Sequence, residues 1–349
     1  MFQCPNINKI NLPYFSLLSQ FDNNQNLLFS PVFFFKSMEI LYQLCQNSNL
    51  REKLTLIMNE IKGENFSQLN NFSSNLSASY GLWINEDSFQ KIPGIQAIFS
   101  NVDKYPNSFV DFLPENSVSK INKFIFDQTR SLILEAFSQE FFEKISYVII
   151  NPIFFQAKWK IPYKRSKTFA MKFQNFSESY KVDFMHHKNK FFYAEDELCQ
   201  VLQLDYVQNF SLYLFLPKDL TPDGLKTVIS SDLSSLSLKE ETVMTQIPKF
   251  SIKAHTNLLP LFQTKPFDLI QNFIKSDENP FQEGYLSHFY QTMVFGCGED
   301  GTESGSSTMR QECCTYEPNL KHFNANHPFA YSLMDNNKNI LLKKFIGLI

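Results

Sequence analysis

No apolar run in these 349 residues reaches the roughly 18 needed to cross a bilayer, and the start, MFQCPNINKINLPYF, has no cationic stretch leading into an apolar one. The chain is therefore expected to be leaderless, soluble and cytoplasmic, with extracellular action by unconventional release left open. Blocks of like charge are missing too: 32 Lys and Arg against 35 Asp and Glu leave a net charge of −3. No basic surface can be read from that pattern, so neither nucleic acid nor a membrane is expected as a partner. The six cysteines (Cys4, Cys45, Cys199, Cys297, Cys313, Cys314) are too scattered for a disulfide framework in a chain this long, which points to a reducing compartment.

Catalytic signatures are equally scarce. There is no Gly-x-Ser-x-Gly, His-Glu-x-x-His or Cys-x-x-Cys, and no glycine loop followed by Lys-Ser/Thr. The protein is accordingly expected not to be an enzyme. Cys297, Cys313, Cys314, His322 and His327 come nearest to a zinc set, but adjacent cysteines cannot easily face one tetrahedral ion and the spacing fits no usual ligand pattern. No metal or cofactor is expected.

What is present is material for a large core, with 43% hydrophobic and 19% charged residues. The 38 Phe are spread throughout, alongside an excess of Asn and Lys, and mark no particular site. Ser30 and Pro31 supply an N-cap and a first helical residue, after which Phe34, Met38, Leu41 and Cys45 recur on one helical face. A second helix is expected from about Asn116 to about Phe137, with Val118, Ile121 and Ile125 as its apolar stripe. Tyr147 to Phe155 reads as a strand containing Asn151 and Pro152, Val201–Tyr206 and Ser211–Leu216 as a hairpin, and the residues from Phe323 onward as short strands. Neither a linker nor a repeat interrupts the chain, so residues 1–349 are expected to form one α+β domain.

One stretch resists that plain reading. In GEDGTESGSSTMR, residues 298–310, three of the ten glycines precede or punctuate a run of Ser and Thr without proline. Taken alone, such a composition suits a flexible loop.

Its context decides otherwise. Phe29-Ser30-Pro31 opening a helix, INKFIFDQTR (121–130), NPIFFQAKW (151–159), FMHHKNKFFYAEDELCQVLQLDY (184–206), IPKFSI (247–252), EDGTESGSST (299–308) and FNANHPFAYSLMD (323–335) follow one another in a fixed order. With these seven stretches the chain resembles the serpin family of suicide protease inhibitors, from about Asn26 to Ile349. The resemblance implies an α+β fold of three β-sheets and about eight to nine helices, with an exposed reactive-centre loop at about 299–322. It implies that a protease attacks the loop as a substrate and forms an acyl-enzyme. The severed loop then inserts as a new strand into a five-stranded sheet and traps the enzyme before deacylation.

Residue by residue, the resemblance makes Glu299, Gly301, Thr302, Glu303, Ser304, Gly305, Ser306, Ser307 and Thr308 the hinge. On insertion Thr302, Ser304, Ser306 and Thr308 would face one way, Glu303, Gly305, Ser307 and Met309 the other, and Thr302 would be the first side chain buried. The inward set is small and uncharged, as burial requires; Arg310 and Glu312 share its parity and would be buried late in insertion unless they pair or lie at the solvated end. Trp159, Lys249 and Glu299 match the mouth where the loop enters, with a Lys249–Glu299 ion pair expected. Ser30 and Asn151 match the point where the sheet opens, while Phe33 and Gln291 replace the common Ser and His there.

Two counts, forward from Gly301 and back from Phe323, meet at Thr315-Tyr316 as the scissile bond, the bonds on either side remaining open. Thr315 suits an elastase-like serine protease and Tyr316 a chymotrypsin-like one. Papain-like cysteine proteases form an alternative target class, and a non-inhibitory carrier or chaperone an alternative role. Only thirteen residues, Glu64 to Leu76, stand where some serpins bind glycosaminoglycans, so that partner is not expected. The resemblance implies a monomer, with loop-sheet polymerisation as its hazard.

Overall fold

The computed structural model describes residues 2–3, 26–45, 48–61, 75–91, 98, 108–113, 117–138, 146–233, 235–263, 286–302, 320–335 and 340–346. In chain order these residues form strands β1 (Phe2–Gln3), β2 (Leu27–Phe29), β3 (Leu76–Ala78), β4 (Tyr80–Ile84), β5 (Ser108–Phe112), β6 (Tyr147–Phe155), β7 (Thr168–Gln174) and β8 (Ser179–Glu195). The remaining strands are β9 (Cys199–Asp205), β10 (Phe210–Pro217), β11 (Ser237–Pro248), β12 (Phe250–Asn257), β13 (Leu286–Cys297), β14 (Lys321–Asn324), β15 (Phe329–Asp335) and β16 (Ile340–Ile346). The α-helices among the described residues are α1 (Pro31–Leu44), α2 (Ser48–Ile61), α3 (Glu86–Lys91), α4 (Ser117–Gln128) and α5 (Pro222–Ser230). The arrangement is α+β, as expected.

The central sheet runs β12-β13-β6-β4-β5, with β3 extending the edge of β6. Its middle pair is parallel: β13 lies on β6 from Leu286 beside Tyr147 to Val294 beside Phe154. All nine residues of β6 are buried, because both faces of the sheet are covered. Tyr147, Ile149, Ile153 and Phe155 join the main core, whereas Val148 and Ile150 join a second cluster with Trp83, Ile121, Ile125, Ile133, Phe137 and Val294. The other strands form one ten-stranded network in which β8 pairs with β7 at its start, β11 along its middle and β9 at its end. The second and third sheets of the expected fold are thus joined through the length of β8.

Helix α1 begins as its sequence dictates. The Ser30 side chain accepts from the Phe33 amide, Pro31 occupies the first turn, and Phe33, Phe34, Met38 and Leu41 are fully buried. Helix α4 corrects an expectation: it ends at Gln128, not near Phe137. Arg130 and Ser131 both take positive φ, 50° and 65°, and the chain then crosses the sheet without helical structure, burying Ile133 and Phe137. The apolar spacing that suggested a longer helix serves this crossing segment instead.

Candidate functional site

Beyond Phe154 and Val294, the chain carrying β13 folds back over the end of β6 and closes the mouth between the two strands. Gly298 and Gly301 exchange backbone hydrogen bonds of 2.8 and 3.3 Å in a tight turn. Gly301 has φ +142°, and a Cβ there would lie 2.0 Å from the Ala157 carbonyl oxygen, so glycine is required. The next residue begins a ladder: the Thr302 amide donates to the Ala157 carbonyl (2.9 Å) and the Trp159 amide to the Asp300 carbonyl (3.0 Å). Thr302 therefore stands opposite Ala157, antiparallel to β6.

Side chains hold this turn in place. The Trp159 indole donates to the Gly298 carbonyl at 2.8 Å and stacks on Tyr206 with ring centroids 4.3 Å apart. The Tyr206 hydroxyl is 2.8 Å from Thr302 Oγ1. Lys249 Nζ lies 3.0 Å from Glu299, whose residue is only 5% exposed. Burial alone would raise the Glu299 carboxyl, but hydrogen bonds from its own backbone and from Lys249, together with the Lys249 charge, hold it below the usual carboxylate range. The Tyr163 amide donates to the Glu299 carbonyl (2.9 Å), and Arg165 pairs with Asp300 (2.7 Å). Burial, and secondarily the Glu299 charge, push the Cys297 thiol up to about 12, which leaves it unreactive.

The structure corrects one expectation here. Thr302 is already buried, 3% exposed, before any further strand has entered. Its partner Tyr206 is distant in sequence and carried no signal of the contact. Glu303, Ser304, Gly305, Ser306, Ser307, Thr308, Arg310, Glu312, Thr315 and Tyr316 lie outside the described residues.

Lower down, Gln291 of β13 stands beside Asn151 of β6. Gln291 clamps Ser30 at two points, accepting from its amide (2.9 Å) and donating to its carbonyl (3.0 Å). Ser37, which sequence reasoning missed, donates to Asn151 Oδ1 at 2.7 Å; it lies seven residues after Ser30, on the same face of α1. The Phe33 backbone bonds to Ser30 and Ser37, while its side chain packs edge-on against Tyr80. The Pro152 carbonyl accepts from Ser79 (3.1 Å), so its missing donor faces away from β13 and leaves that side of β6 able to form an unbroken ladder.

A search of protein-family models matches residues 5–348 to Serpin, described as serine protease inhibitor. The chain belongs to the serpin family. An uncharacterized serpin-like protein of Methanosarcina acetivorans is 24% identical over 357 residues, covering 94% of this chain and 82% of that one. The leukocyte elastase inhibitor of Xenopus tropicalis is 27% identical over 367 residues, covering 92% and 93%. Among solved structures, Serpin48 from Tenebrio molitor shares the fold with a TM-score of 0.76 at 19% identity, over 98% of this chain and 97% of that one. In this serpin β6 and β13 pair directly, so the central sheet has its five-strand order with no strand between them.

Two predictions concern the mouth. Lys249→Ala leaves the buried Glu299 carboxylate without its cation, and a loss of about 3 kcal/mol is expected. Denaturant melts would read it, with Glu299→Gln in the same chain recovering part of the loss; a change within about 0.5 kcal/mol would mark an ordinary surface pair. The second concerns acid. His186 is buried on β8, stacked on Phe169 at 4.0 Å, with Nδ1 near the Lys167 and Phe184 carbonyls. His187 packs edge-on to Tyr163, which holds Glu299. Burial lowers both imidazoles below 6.5; the backbone contacts partly offset this for His186, and the Lys167 and Lys164 charges add to it for His187. The folded state therefore keeps them neutral, and the unfolded chain takes up protons first. Their contribution is complete above 6.5 and is lost as pH falls below it. The Tm should drop between about pH 7.5 and 5.5, and drop less in His186→Gln/His187→Gln; equal drops in both proteins would refute this assignment.

Proposed function

We propose that this serpin is a suicide-substrate inhibitor of elastase- or chymotrypsin-like serine proteases, cleaved at Thr315-Tyr316, and not an enzyme. The observation that carries the reading is the seat of Gly301 and Thr302. The chain leading out of β13 has already begun an antiparallel ladder on β6 at the mouth of a sheet whose middle strands still pair with each other. Continued in the same register, Ser304 comes opposite Phe155, Ser306 opposite Ile153 and Thr308 opposite Asn151. The side chains turned toward the core are then all small, and each ladder bond contributes roughly 0.5–1.5 kcal/mol net. Insertion after acylation would carry the attached protease with the strand, a release of strain stored in the native fold. Trapping is a race between insertion and deacylation.

The family description as serine protease inhibitor and the similarity to a leukocyte elastase inhibitor support the target class. The reading is tested by mixing the protein with pancreatic elastase and, separately, with chymotrypsin. An SDS-resistant band at the summed mass is expected, together with a released peptide beginning at Tyr316. A peptide beginning at Gln311 would overturn the assigned bond, and complete cleavage with no covalent band by either enzyme would overturn inhibition of this class.

A further inference from the structure

The segment that links β6 to β7 carries five cations in ten residues, Lys158, Lys160, Lys164, Arg165 and Lys167, and no acid. Apolar residues interrupt the run, so a chain of net charge −3 conceals it. All five residues are exposed. The backbone beneath them is fixed, because the Trp159 and Tyr163 amides donate to the Asp300 and Glu299 carbonyls and both rings are buried. The cations therefore project from a rigid frame.

Trp159 bridges Tyr206 in antiparallel register, which sets Lys158 opposite Val207. The Val207 amide donates to the Lys158 carbonyl at 2.8 Å. Because the Trp159 and Tyr206 rings stack inward, 4.3 Å apart, Lys158 and Val207 turn outward together. Val207, in the turn joining β9 to β10, is 66% exposed, and Pro162 is exposed as well. Acid does not balance this face. Arg165 pairs with Asp300 (2.7 Å), while Asp205, across from Lys160, accepts from Gln203 (2.7 Å) and Ser211 (2.8 Å). Among the described residues, Lys158, Lys160, Lys164 and Lys167 have no ion-pair partner.

We propose that this face docks on an anionic lipid surface, its lysine ammoniums at the headgroup phosphates and carboxylates and Val207 dipping between them. The chemistry favours lipid over nucleic acid or a sulfated chain. The rings that could stack on bases, Trp159 and Tyr163, are 3% and 4% exposed, and the one guanidinium of the segment is held by Asp300. Lysines act as point charges that suit a fluid array of headgroups, and an exposed aliphatic tip gains only where there is hydrocarbon to meet. Contact is peripheral, since among the described residues no helix is long and apolar enough to cross a membrane. The expectation of no membrane partner followed from the overall charge, which the fold concentrates locally. Docking of this kind is independent of loop insertion.

The test is co-sedimentation of the whole protein with vesicles of phosphatidylcholine alone and of phosphatidylcholine with about 30% phosphatidylserine, in about 0.1 M salt. Binding is expected only to the anionic vesicles and should fade as salt is raised. Each lysine near such a surface contributes about fivefold, so Lys158→Gln/Lys160→Gln should weaken binding about 25-fold. Lys120→Gln/Lys123→Gln on α4 removes the same charge at another place and should change binding less than about twofold. Val207→Ser should weaken it about threefold, for partial burial of one aliphatic side chain. Wild-type protein that ignores anionic vesicles would overturn the proposal outright. Equal losses from the two lysine pairs would overturn the site, leaving only general charge attraction. Retention on immobilised heparin or duplex DNA without vesicle binding, or lysine dependence with no effect of Val207→Ser, would mark a polyanion site and overturn lipid docking.

Discussion

Thr302→Arg is expected to convert this serpin from an inhibitor into a substrate. Thr302 is 3% exposed, with its hydroxyl 2.8 Å from that of Tyr206, which stacks on Trp159. An arginine would be turned out of this seat in the intact protein. It would have to enter the seat as the strand inserts, losing most of its water among aromatic rings at a cost of several kcal/mol. Each 1.36 kcal/mol on the barrier slows a step tenfold, so a cost of about 3 kcal/mol would slow insertion over a hundredfold. Deacylation, chemically untouched, then wins the race. Cleaved protein should replace the covalent complex on a denaturing gel with the cleaved bond unchanged; because Thr302 is already seated in the intact protein, the intact variant should also melt lower. Thr302→Val, which removes only the hydroxyl partner of Tyr206, should lower complex yield far less. An unchanged yield from Thr302→Arg would show that this position need not be buried for trapping.

The elements that carry this argument differ in how far the sequence exposes them. Ser30-Pro31 announces α1 because a cap and a φ-restricted proline are local signals, and β6 announces itself as a continuous apolar run. The Lys249–Glu299 pair and the place of Trp159 were readable through the ordered motifs around them. The end of α4 was not, since neither Gly nor Pro marks the turn at Arg130 and Ser131, and Leu132, Ile133, Ala136 and Phe137 continue an apolar pattern that the crossing segment uses for its own burial. Ser37 and Tyr206 were missed for another reason: each acts through a partner on a different element, so its role exists only once the chain is folded. The early burial of Thr302 belongs with these, because the Tyr206 hydroxyl that receives it lies 96 residues away. Gln291 shows a third case, in which a departure from the family pattern is visible in sequence but its consequence, a two-point clamp on Ser30, is not.

The central claim is that the native fold is held short of its lowest free energy and that cutting the loop releases it. Intact, β6 and β13 share one ladder; with a strand between them they would share two, so each inserted residue adds about one net hydrogen bond, worth roughly 0.5–1.5 kcal/mol. In the register set by Thr302 and Ala157, Arg310 would come opposite Ile149 and Glu312 opposite Tyr147, both on the side facing the main core, so insertion is expected to stall after Met309. A strand from Glu303 to Met309 then contributes about 7 kcal/mol, and for a chain of this length the melting temperature should rise by about 10 °C. Arg310→Ala/Glu312→Ala should lengthen the inserted strand and enlarge the rise. An ordinary loop would behave in the opposite sense, since nicking it removes connectivity and adds no contact. The measurement is a thermal melt of intact and loop-nicked protein at equal concentration and scan rate, because a metastable state reports a barrier as well as an equilibrium, with the cut confirmed by mass. A nicked form that melts well above the intact one is the predicted result; one that melts at or below it would contradict loop insertion and the inhibitory mechanism built on it.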